Sequence, residues 1–275
     1  MNEQRPKSEF NDVDRANNPG IYIQLLDVQQ SMVFIQQYKQ RARALLGLQP
    51  GHLVLEVGVG TGEDAREMAK LVAPTGQVVG LDLSQILLDV ALQRTQGMSL
   101  PLRFVQGDVH QLPFTDNLFD RCYADKTFEH LPNPKLAISE LIRVTKPGGQ
   151  LVIVDPDHEA QVLDTPYPDV TRRFFRFRSD GVCQPDIAHR SYALFKEAGL
   201  THVYVEPLIR VTTDYETIRP VANYVEDMHS AQEYGVVTKE EAEKWLTYLR
   251  DAMHTERFFH AMVWFITSGC KPLDA

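Results

Sequence analysis

The chain has 275 residues, enough for one large domain or for a domain with an added cap. Its hydrophobic fraction of 43% and charged fraction of 24% are typical of globular proteins. The formal net charge of −9 argues against a generally basic, nucleic-acid-binding surface. The cysteines Cys122, Cys183 and Cys270 lie far apart and predict free thiols, not a disulfide framework or a zinc site. With a polar, acid-containing start and no long apolar run, we expect a cytoplasmic protein without a membrane span.

The first part of the chain precedes the predicted core. Residues 1–20 are polar and predict an arm that is poorly ordered or that becomes ordered over a bound ligand. From Ile21 to Leu46, apolar residues recur at helical spacing and predict one or two helices. Tyr22 in this region is a candidate substrate contact. The cationic side chains here, Lys39 among them, are interpreted as a solvated face or as packing.

A buried strand, a glycine turn and a helix follow from Leu53. The aliphatic run Leu53–Val57 is typical of a parallel strand, and the turn after it contains three glycines, Gly58, Gly60 and Gly62. This pattern opens nucleotide-binding β-α-β units, although tight packing alone can also select glycines. Glu63 fills the position of a third dinucleotide glycine, where a carboxylate repels a pyrophosphate. A ligand with adenosine and a positively charged group, which Glu56 could meet, fits better than NAD or FAD.

Two more strands end in acidic residues. The strand QVVGLD ends at Asp82, about 20 residues after the glycine turn, where a carboxylate can accept ribose hydroxyls. Asp82 could instead cap the next helix, but Ser84 is better placed for that. The strand LRFVQGD ends at Asp108, and the candidate adenine contacts around these two strand ends are Leu83, Gly107, Asp108 and Val109. A simple turn formed by Asp108 with Gly107 is the alternative.

The alternation of strands and helices continues. A fourth strand ends near Ala124 and Asp125, and a helix starts at Asn133-Pro134 and ends at 146–149. A fifth strand, Gln150–Val154, follows and ends at Asp155. This order predicts an α/β fold with a doubly wound parallel sheet.

With these motifs in place, the chain resembles class I S-adenosylmethionine-dependent methyltransferases over about residues 45–155. The matching motifs are VLEVGVGTG, LDLS, GDVHQLPF, FEHLPNP and RVTKPGGQLVIVDP. Within that class the chain is similar to the small-molecule group that includes the ubiquinone and menaquinone C-methyltransferases. The resemblance implies S-adenosylmethionine as methyl donor and S-adenosylhomocysteine as product. It also implies a Rossmann-like seven-stranded sheet of order 3-2-1-4-5-7-6 with strand 7 antiparallel.

The last two strands of that fold predict a cap. HVYVEPL (202–208) and FFHAMVWFITS (258–268) match strands 6 and 7, which normally form a near hairpin. Here about 50 residues separate them, against the few of an ordinary hairpin loop, and helical patterns cover 215–228 and 239–254. We therefore expect an N-terminal arm with helices (1–45), a cofactor-binding core (46–214 and 256–275) and a helical cap (215–255).

Residues after strands 4 and 5 are expected to face the ligand, because ligands lie beyond the C-terminal strand ends. His130 is the candidate general base, and Asp125 is both a second catalytic candidate and a cofactor contact. His158 is a candidate substrate contact. His130 could instead only shape a helix start, and many members of the class transfer a methyl group by orientation alone. No spacing in the sequence predicts a metal site.

The segment 164–181 interleaves arginines with phenylalanines. Arg172, Arg173 and Arg176 are candidate anchors for an acidic group of the substrate. The alternative is a surface helix whose arginines pair with neighbouring acids.

The sequence thus predicts transfer of a methyl group to oxygen, nitrogen or carbon of a small molecule, with no nucleic-acid or membrane partner, by a monomer or homodimer. The alternatives are a protein that binds S-adenosylmethionine without transferase activity, or a methyltransferase acting on RNA or protein. An NAD-dependent oxidoreductase is disfavoured by Glu63.

Overall fold

The computed structural model describes residues 9–274 and contains one seven-stranded sheet. The strands are β1 Leu53–Val57, β2 Gln77–Asp82, β3 Leu102–Gln106, β4 Phe119–Asp125, β5 Thr145–Leu163, β6 Thr201–Thr212 and β7 His260–Cys270. Their order is β3-β2-β1-β4-β5-β7-β6, and β7 runs antiparallel to both of its neighbours. The predicted fold class is confirmed.

Helices cover both faces of the sheet and its C-terminal edge. They are α1 Gly20–Ser31, α2 Val33–Leu46, α3 Glu63–Val72, α4 Gln85–Thr95, α5 Pro134–Val144, α6 Pro168–Asp180, α7 Ile187–Glu197, α8 Tyr215–Ile218, α9 Tyr224–Glu233 and α10 Lys239–His254, with 3-10 helices at Glu9–Arg15 and Phe128–His130. None of the helices among the described residues combines the length and apolar character needed for a membrane span.

Alternation along the strands divides the core into two layers. In β1, Leu55 and Val57 pack into one cluster with α5 and α7, whereas Val54 packs into the other with α2 and α3. Successive strand residues point to opposite faces, so a strand buried on both sides reads as a continuous aliphatic run. This burial holds the strand ends, and the residues that follow them, in fixed positions.

The fifth strand is longer than its sequence suggests. Its apolar run ends at Val154, but β5 continues to Leu163 and pairs with β7 as far as His260, with an irregularity between Pro156 and Gln161. The antiparallel partner, nearly a hundred residues away in the chain, satisfies the backbone of this extension. The extension carries His158 over the edge of the sheet.

A separate apolar cluster builds the cap. Residues of α6, α8, α9 and α10 pack together around Phe174, Tyr224 and Trp245, and the Trp245 indole N–H donates to Thr171 Oγ1 at 2.9 Å. The single helical pattern expected over 215–228 forms two helices, α8 and α9, because Pro220 between them cannot continue a helix. The cluster joins α6 to the helices between β6 and β7.

The N-terminal helices cover the other side of the same edge. Asp14, in the first 3-10 helix, accepts hydrogen bonds from the Ser84 hydroxyl and, at 2.9 Å, from the Gln85 backbone N–H. This contact fixes the described part of the predicted arm at the end of β2. Residues 1–8, the rest of that arm, lie outside the described residues.

Candidate functional site

A cavity of about 520 Å³ lies at the C-terminal ends of the parallel strands. It is lined by nearly all the residues predicted for cofactor binding, namely Glu56, Gly58, Gly60, Asp82, Leu83, Gly107, Asp108, Val109 and Asp125. Gly62 is the exception, because it packs inside the fold, where an added Cβ would lie 3.1 Å from Ala91 Cβ and from Phe104. The fold therefore brings the strand-end residues of the sequence analysis to one site.

The glycine turn is held by its neighbours on both sides. Asp82 Oδ2 accepts from Gly60 N–H at 2.8 Å, and Asp82 Oδ1 accepts from Ser84 N–H at 2.9 Å. Ser84 caps α4 by accepting from Leu87 N–H at 3.1 Å, as the sequence predicts. Burial raises the pKa of Asp82, and these backbone donors offset part of that effect. A carboxylate accepts about four hydrogen bonds, so Asp82 retains capacity for a ribose.

Gly58 is required by a close contact as well as by its backbone. It has a φ of 67°, and an added Cβ would lie 2.2 Å from Thr127 Oγ1. Gly58→Ala is expected to destabilise the protein by about 2–4 kcal/mol, since it adds a clash to the strain of positive φ. Gly97→Ala is the matched control, with φ of 77° and no atom within 4 Å of the added Cβ. Denaturant unfolding of both variants measures the difference, and equal losses would contradict a role for the Thr127 contact.

A buried cluster of charges lies beneath the glycine turn. Lys39 from α2 contacts Asp64 and, at 3.1 Å, Asp125; Arg43 pairs with Asp64 at 2.5 Å. Burial lowers the pKa of Lys39, but Asp64 and Asp125 more than offset this and the net shift is upward. Lys39 was expected on a solvated face or in packing, but it is only 4% exposed and belongs to this cluster. Together with Glu56, the cluster has three carboxylates and two cations.

Glu56 is the member of this cluster that has an unpartnered side-chain oxygen within residues 9–274. It lines the cavity, is 3% exposed, and its Oε2 receives no hydrogen bond from the described residues. Burial raises its pKa well above the usual value, and Asp64 raises it further. A cationic group would relieve both effects, so the orphaned oxygen fits the ammonium of an amino-acid tail.

Asp125 belongs to the same region. Its carboxylate accepts from the Tyr38 hydroxyl at 2.9 Å and contacts Lys39 at 3.1 Å. These contacts place it with the charge cluster at the glycine-turn end of the cavity. Both of its predicted roles, in catalysis and in cofactor binding, stay predictions.

Asp108 forms a local turn at the edge of the cavity. It accepts from His110 N–H at 2.8 Å and contacts His110 Nδ1 at 2.6 Å. The alternative of a turn is therefore present in the structure, while Leu83, Gly107 and Val109 line the space beside it.

The loop after β4 places a carboxylate between two imidazoles. Glu129 Oε2 lies 2.6 Å from His158 Nε2, and Glu129 Oε1 lies 3.7 Å from His130 Nε2. His130 also stacks on Phe10, with ring centroids 5.0 Å apart. Burial raises the pKa of Glu129, but the two histidines outweigh this and the net shift is downward; burial lowers the pKa of His130. The site thus combines an ionised carboxylate with a neutral His130 at neutral pH.

Lys126 begins this loop in a strained conformation. Its φ is 50°, which is uncommon outside glycine and costs about 1–3 kcal/mol. Its ammonium donates to the Gln29 side-chain oxygen of α1, and burial lowers its pKa. Strain of this kind concentrates at functional sites. The hydrogen bond from Lys126 to Gln29 connects the N-terminal helices to the centre of the cavity.

The far end of the cavity lies under the cap. It is lined by His158, Gln161, Arg178, Val182, Arg210, Val221, Ala222, Tyr224, Met262 and Trp264. His158 is therefore in the cavity, whereas Tyr22 contacts the lining residue Phe10, with ring centroids 4.9 Å apart, without lining the cavity itself.

The three arginines predicted to bind substrate lie outside the cavity. They pair with acids on the outer surface of the cap: Arg172 with Asp169 at 2.7 Å, Arg173 with Glu241 at 2.6 Å and Arg176 with Asp180 at 3.2 Å. Arg178 is the arginine of α6 that reaches the cavity. Residues Val170, Phe174 and Phe177 form the buried face of α6, and Arg178 follows Phe174 by four positions. Helical spacing could therefore have identified it.

Comparisons with known proteins match the part of the chain that carries the glycine turn. A family model described as a methyltransferase domain matches residues 55–153. An uncharacterized 37.1 kDa protein in transposon Tn4556 of Streptomyces fradiae is 32% identical over 216 residues, 78% of this chain and 62% of that protein. The ubiquinone/menaquinone biosynthesis C-methyltransferase UbiE of Saccharophagus degradans is 35% identical over 120 residues, 43% of this chain and 48% of that protein. The matches thus span about half to three fifths of these curated relatives.

Solved structures give the same fold. A putative methyltransferase from Bacillus halodurans superposes with a TM-score of 0.61 at 22% identity, over 85% of this chain and 98% of that one. The strand order, the glycine turn and the strand-end acids are those of class I S-adenosylmethionine-dependent methyltransferases, and the methyltransferase domain matched over residues 55–153 agrees with that class. The methyl donor of that class is S-adenosylmethionine.

Proposed function

We propose that the protein transfers a methyl group from S-adenosylmethionine to an oxygen, nitrogen or carbon atom of a small molecule. The observation that carries this proposal is a single cavity that joins Glu56 and the glycine turn to a chamber lined by His158, Tyr224 and Trp264. S-adenosylmethionine supplies an electrophilic methyl group: the S–CH₃ bond breaks, its electron pair stays on sulfur as S-adenosylhomocysteine, and the acceptor's lone pair forms the new bond.

The N-terminal region and the cap cover the site, which favours a small acceptor over RNA or protein. Phe10, Leu26 and Gln29 of the N-terminal region line one side of the cavity, and Val221 and Ala222 of the cap line another. A cavity of about 520 Å³ lies within the range usual for small-molecule sites, about 300–1,000 Å³. Covered sites of this size suit a metabolite better than a polymer.

The chain's own residues orient the acceptor and receive its proton. Where the acceptor is a hydroxyl or another group that must lose a proton, His158, oriented by Glu129, is positioned to accept it. An acceptor that is already nucleophilic, such as an amine or enolate, needs only to be held in line. Exclusion of water by the cap protects the donor from hydrolysis in either case.

The test has two stages. Calorimetry with S-adenosylmethionine is expected to show saturable binding, and a panel of metabolites is expected to include at least one that causes release of S-adenosylhomocysteine. Binding without release on any compound would favour a protein that binds the donor without transferring it. Absence of binding would contradict both functions.

A further inference from the structure

Two guanidinium groups enter the capped end of the cavity from different elements. Arg178 comes from α6 and Arg210 from β6, where Arg210 pairs in register with Met262 of β7. Arg178 has a carboxylate partner, Asp227, at 2.8 Å. Arg210 has none: no ion pair within 4.0 Å joins it to any carboxylate in residues 9–274. Arg210 Nη2 instead has a long contact with Met262 Sδ, at 3.8 Å.

Arg210 is also poorly satisfied as a hydrogen-bond donor. Its Nε is buried and has no acceptor among the described atoms. Burial lowers its pKa, and Arg178 nearby lowers it further, with only partial compensation by Tyr224. The adjacent His260 is neutral, because burial and the two arginines lower its pKa to about 3. The capped end therefore carries an uncompensated positive charge.

The surroundings of Arg210 indicate what could compensate it. Trp264, Met262 and Ala222 give apolar walls, and the Tyr224 hydroxyl contacts His260 Nε2 at 2.8 Å. A guanidinium offers five donors in one plane, which match a carboxylate or a phosphate in a bidentate arrangement. An apolar chamber with one unpaired guanidinium fits a molecule with an apolar body and a terminal anion.

A partly buried cation without a carboxylate partner lowers stability, so packing alone does not explain it. The three arginines of α6 that lie outside the cavity, Arg172, Arg173 and Arg176, are each paired with an acid. At the other end of the cavity, by contrast, Asp64 and Asp125 are paired with Lys39 and Arg43. The unpaired positive charge thus lies under the cap.

We propose that Arg210, supported by Arg178, binds a carboxylate or phosphate of the methyl acceptor. This rests on the proposed function, since it assumes that the acceptor occupies the chamber under the cap. The anion fixes the acceptor's far end, and the apolar walls direct its body towards the loop that carries Glu129 and His158. The acceptor class is then a small, largely apolar molecule with one anionic group.

The test compares three probes of similar shape: phenylacetate, phenyl phosphate and the neutral phenylacetamide. Binding to the protein saturated with S-adenosylhomocysteine is measured by calorimetry. The wild type is expected to bind at least one of the anions about 10- to 100-fold more tightly than the amide, and the preferred anion tells carboxylate from phosphate. Arg210→Gln is expected to abolish the preference, and Arg172→Gln, an exposed arginine outside the cavity, is the matched control. Equal affinities in the wild type, no anion binding at millimolar concentration, or a preference that survives Arg210→Gln would overturn the proposal.

A stability measurement shows whether Arg210→Gln remains folded and tests the same idea without a ligand. Removing a partly buried cation that has no carboxylate partner is expected to raise the melting temperature of the ligand-free protein by about 2–4 °C. A fall of that size would show that Arg210 supports the fold, and would overturn the proposal. If the wild type does not bind S-adenosylhomocysteine but still prefers the anionic probes, the result would count against the proposed function and not against the anion site.

Discussion

Replacing Glu56 with glutamine is expected to weaken S-adenosylmethionine binding by roughly 30- to 1,000-fold, or about 2–4 kcal/mol. The carboxylate is buried at the end of β1, and its Oε2 receives no hydrogen bond from the described residues. Glutamine keeps the shape and removes the charge that would meet an ammonium. The loss should therefore fall on ligand affinity and not on folding.

Calorimetry with S-adenosylmethionine and S-adenosylhomocysteine measures this effect. Glu67→Gln is the matched control, because Glu67 pairs with Lys70 on the surface of α3 and does not line the cavity. Its affinity should equal that of the wild type. Unchanged affinity in Glu56→Gln would refute the role assigned to Glu56.

The raised pKa of Glu56 leads to a second expectation, that binding of S-adenosylmethionine is coupled to the loss of a proton. A cation beside the carboxyl favours the ionised form, so at a pH between the usual and the raised pKa ligand binding should release a proton from the wild type and none from Glu56→Gln. Calorimetry in buffers of different ionisation enthalpy reports that proton. In the ligand-free protein the same pKa shift affects stability. The Glu56 carboxyl stays protonated in the folded state at pH values where the unfolded chain has already lost the proton, above its usual pKa of about 4.5. The free energy of unfolding therefore falls as the pH rises above that value.

The part of the site that depends on local pattern was predictable from the sequence. The bounds of β1 and β2, the cap at Ser84 and the glycine turn follow from alternation, capping and tight-turn chemistry over a few residues. The approach of Asp82 to the glycine turn follows from the parallel pairing of β1 with β2. These features depend mainly on residues that are close together in the sequence.

The charged groups that complete the site depend on long-range packing. Lys39 is a charge on a helix and is normally solvated, but α2 turns it towards Asp64 and Asp125, which lie in distant parts of the chain. Arg210 reaches the cavity because β6 pairs with β7 beyond the expected end of the strand. No local pattern encodes either contact. Spacing within α6 did encode the position of Arg178, whereas the density of arginines drew attention to Arg172, Arg173 and Arg176.

The second large effect is expected at Glu129. If His158 accepts the acceptor's proton, Glu129→Gln should reduce kcat by about 10²- to 10⁴-fold, with little change in the affinity for S-adenosylhomocysteine. Glu129 Oε2 lies 2.6 Å from His158 Nε2, so the carboxylate can accept the Nε2–H and leave Nδ1 to receive the acceptor's proton. Glutamine can also bind Nε2 through its amide oxygen, but it does not stabilise the imidazolium that forms.

The measurement is the release of S-adenosylhomocysteine with an acceptor identified in the panel, with kcat and KM determined separately. His158→Asn should lower kcat as much as Glu129→Gln, and the double variant should lose little more, because the two residues act as one unit. His130→Asn tests whether His130 is the base instead. His130 Nε2 lies 3.7 Å from Glu129 and its ring stacks on Phe10. If His130 were the base, His130→Asn would reduce kcat more than His158→Asn. If the three single variants retain the wild-type kcat, the acceptor is methylated by orientation alone, and the role of a general base is refuted.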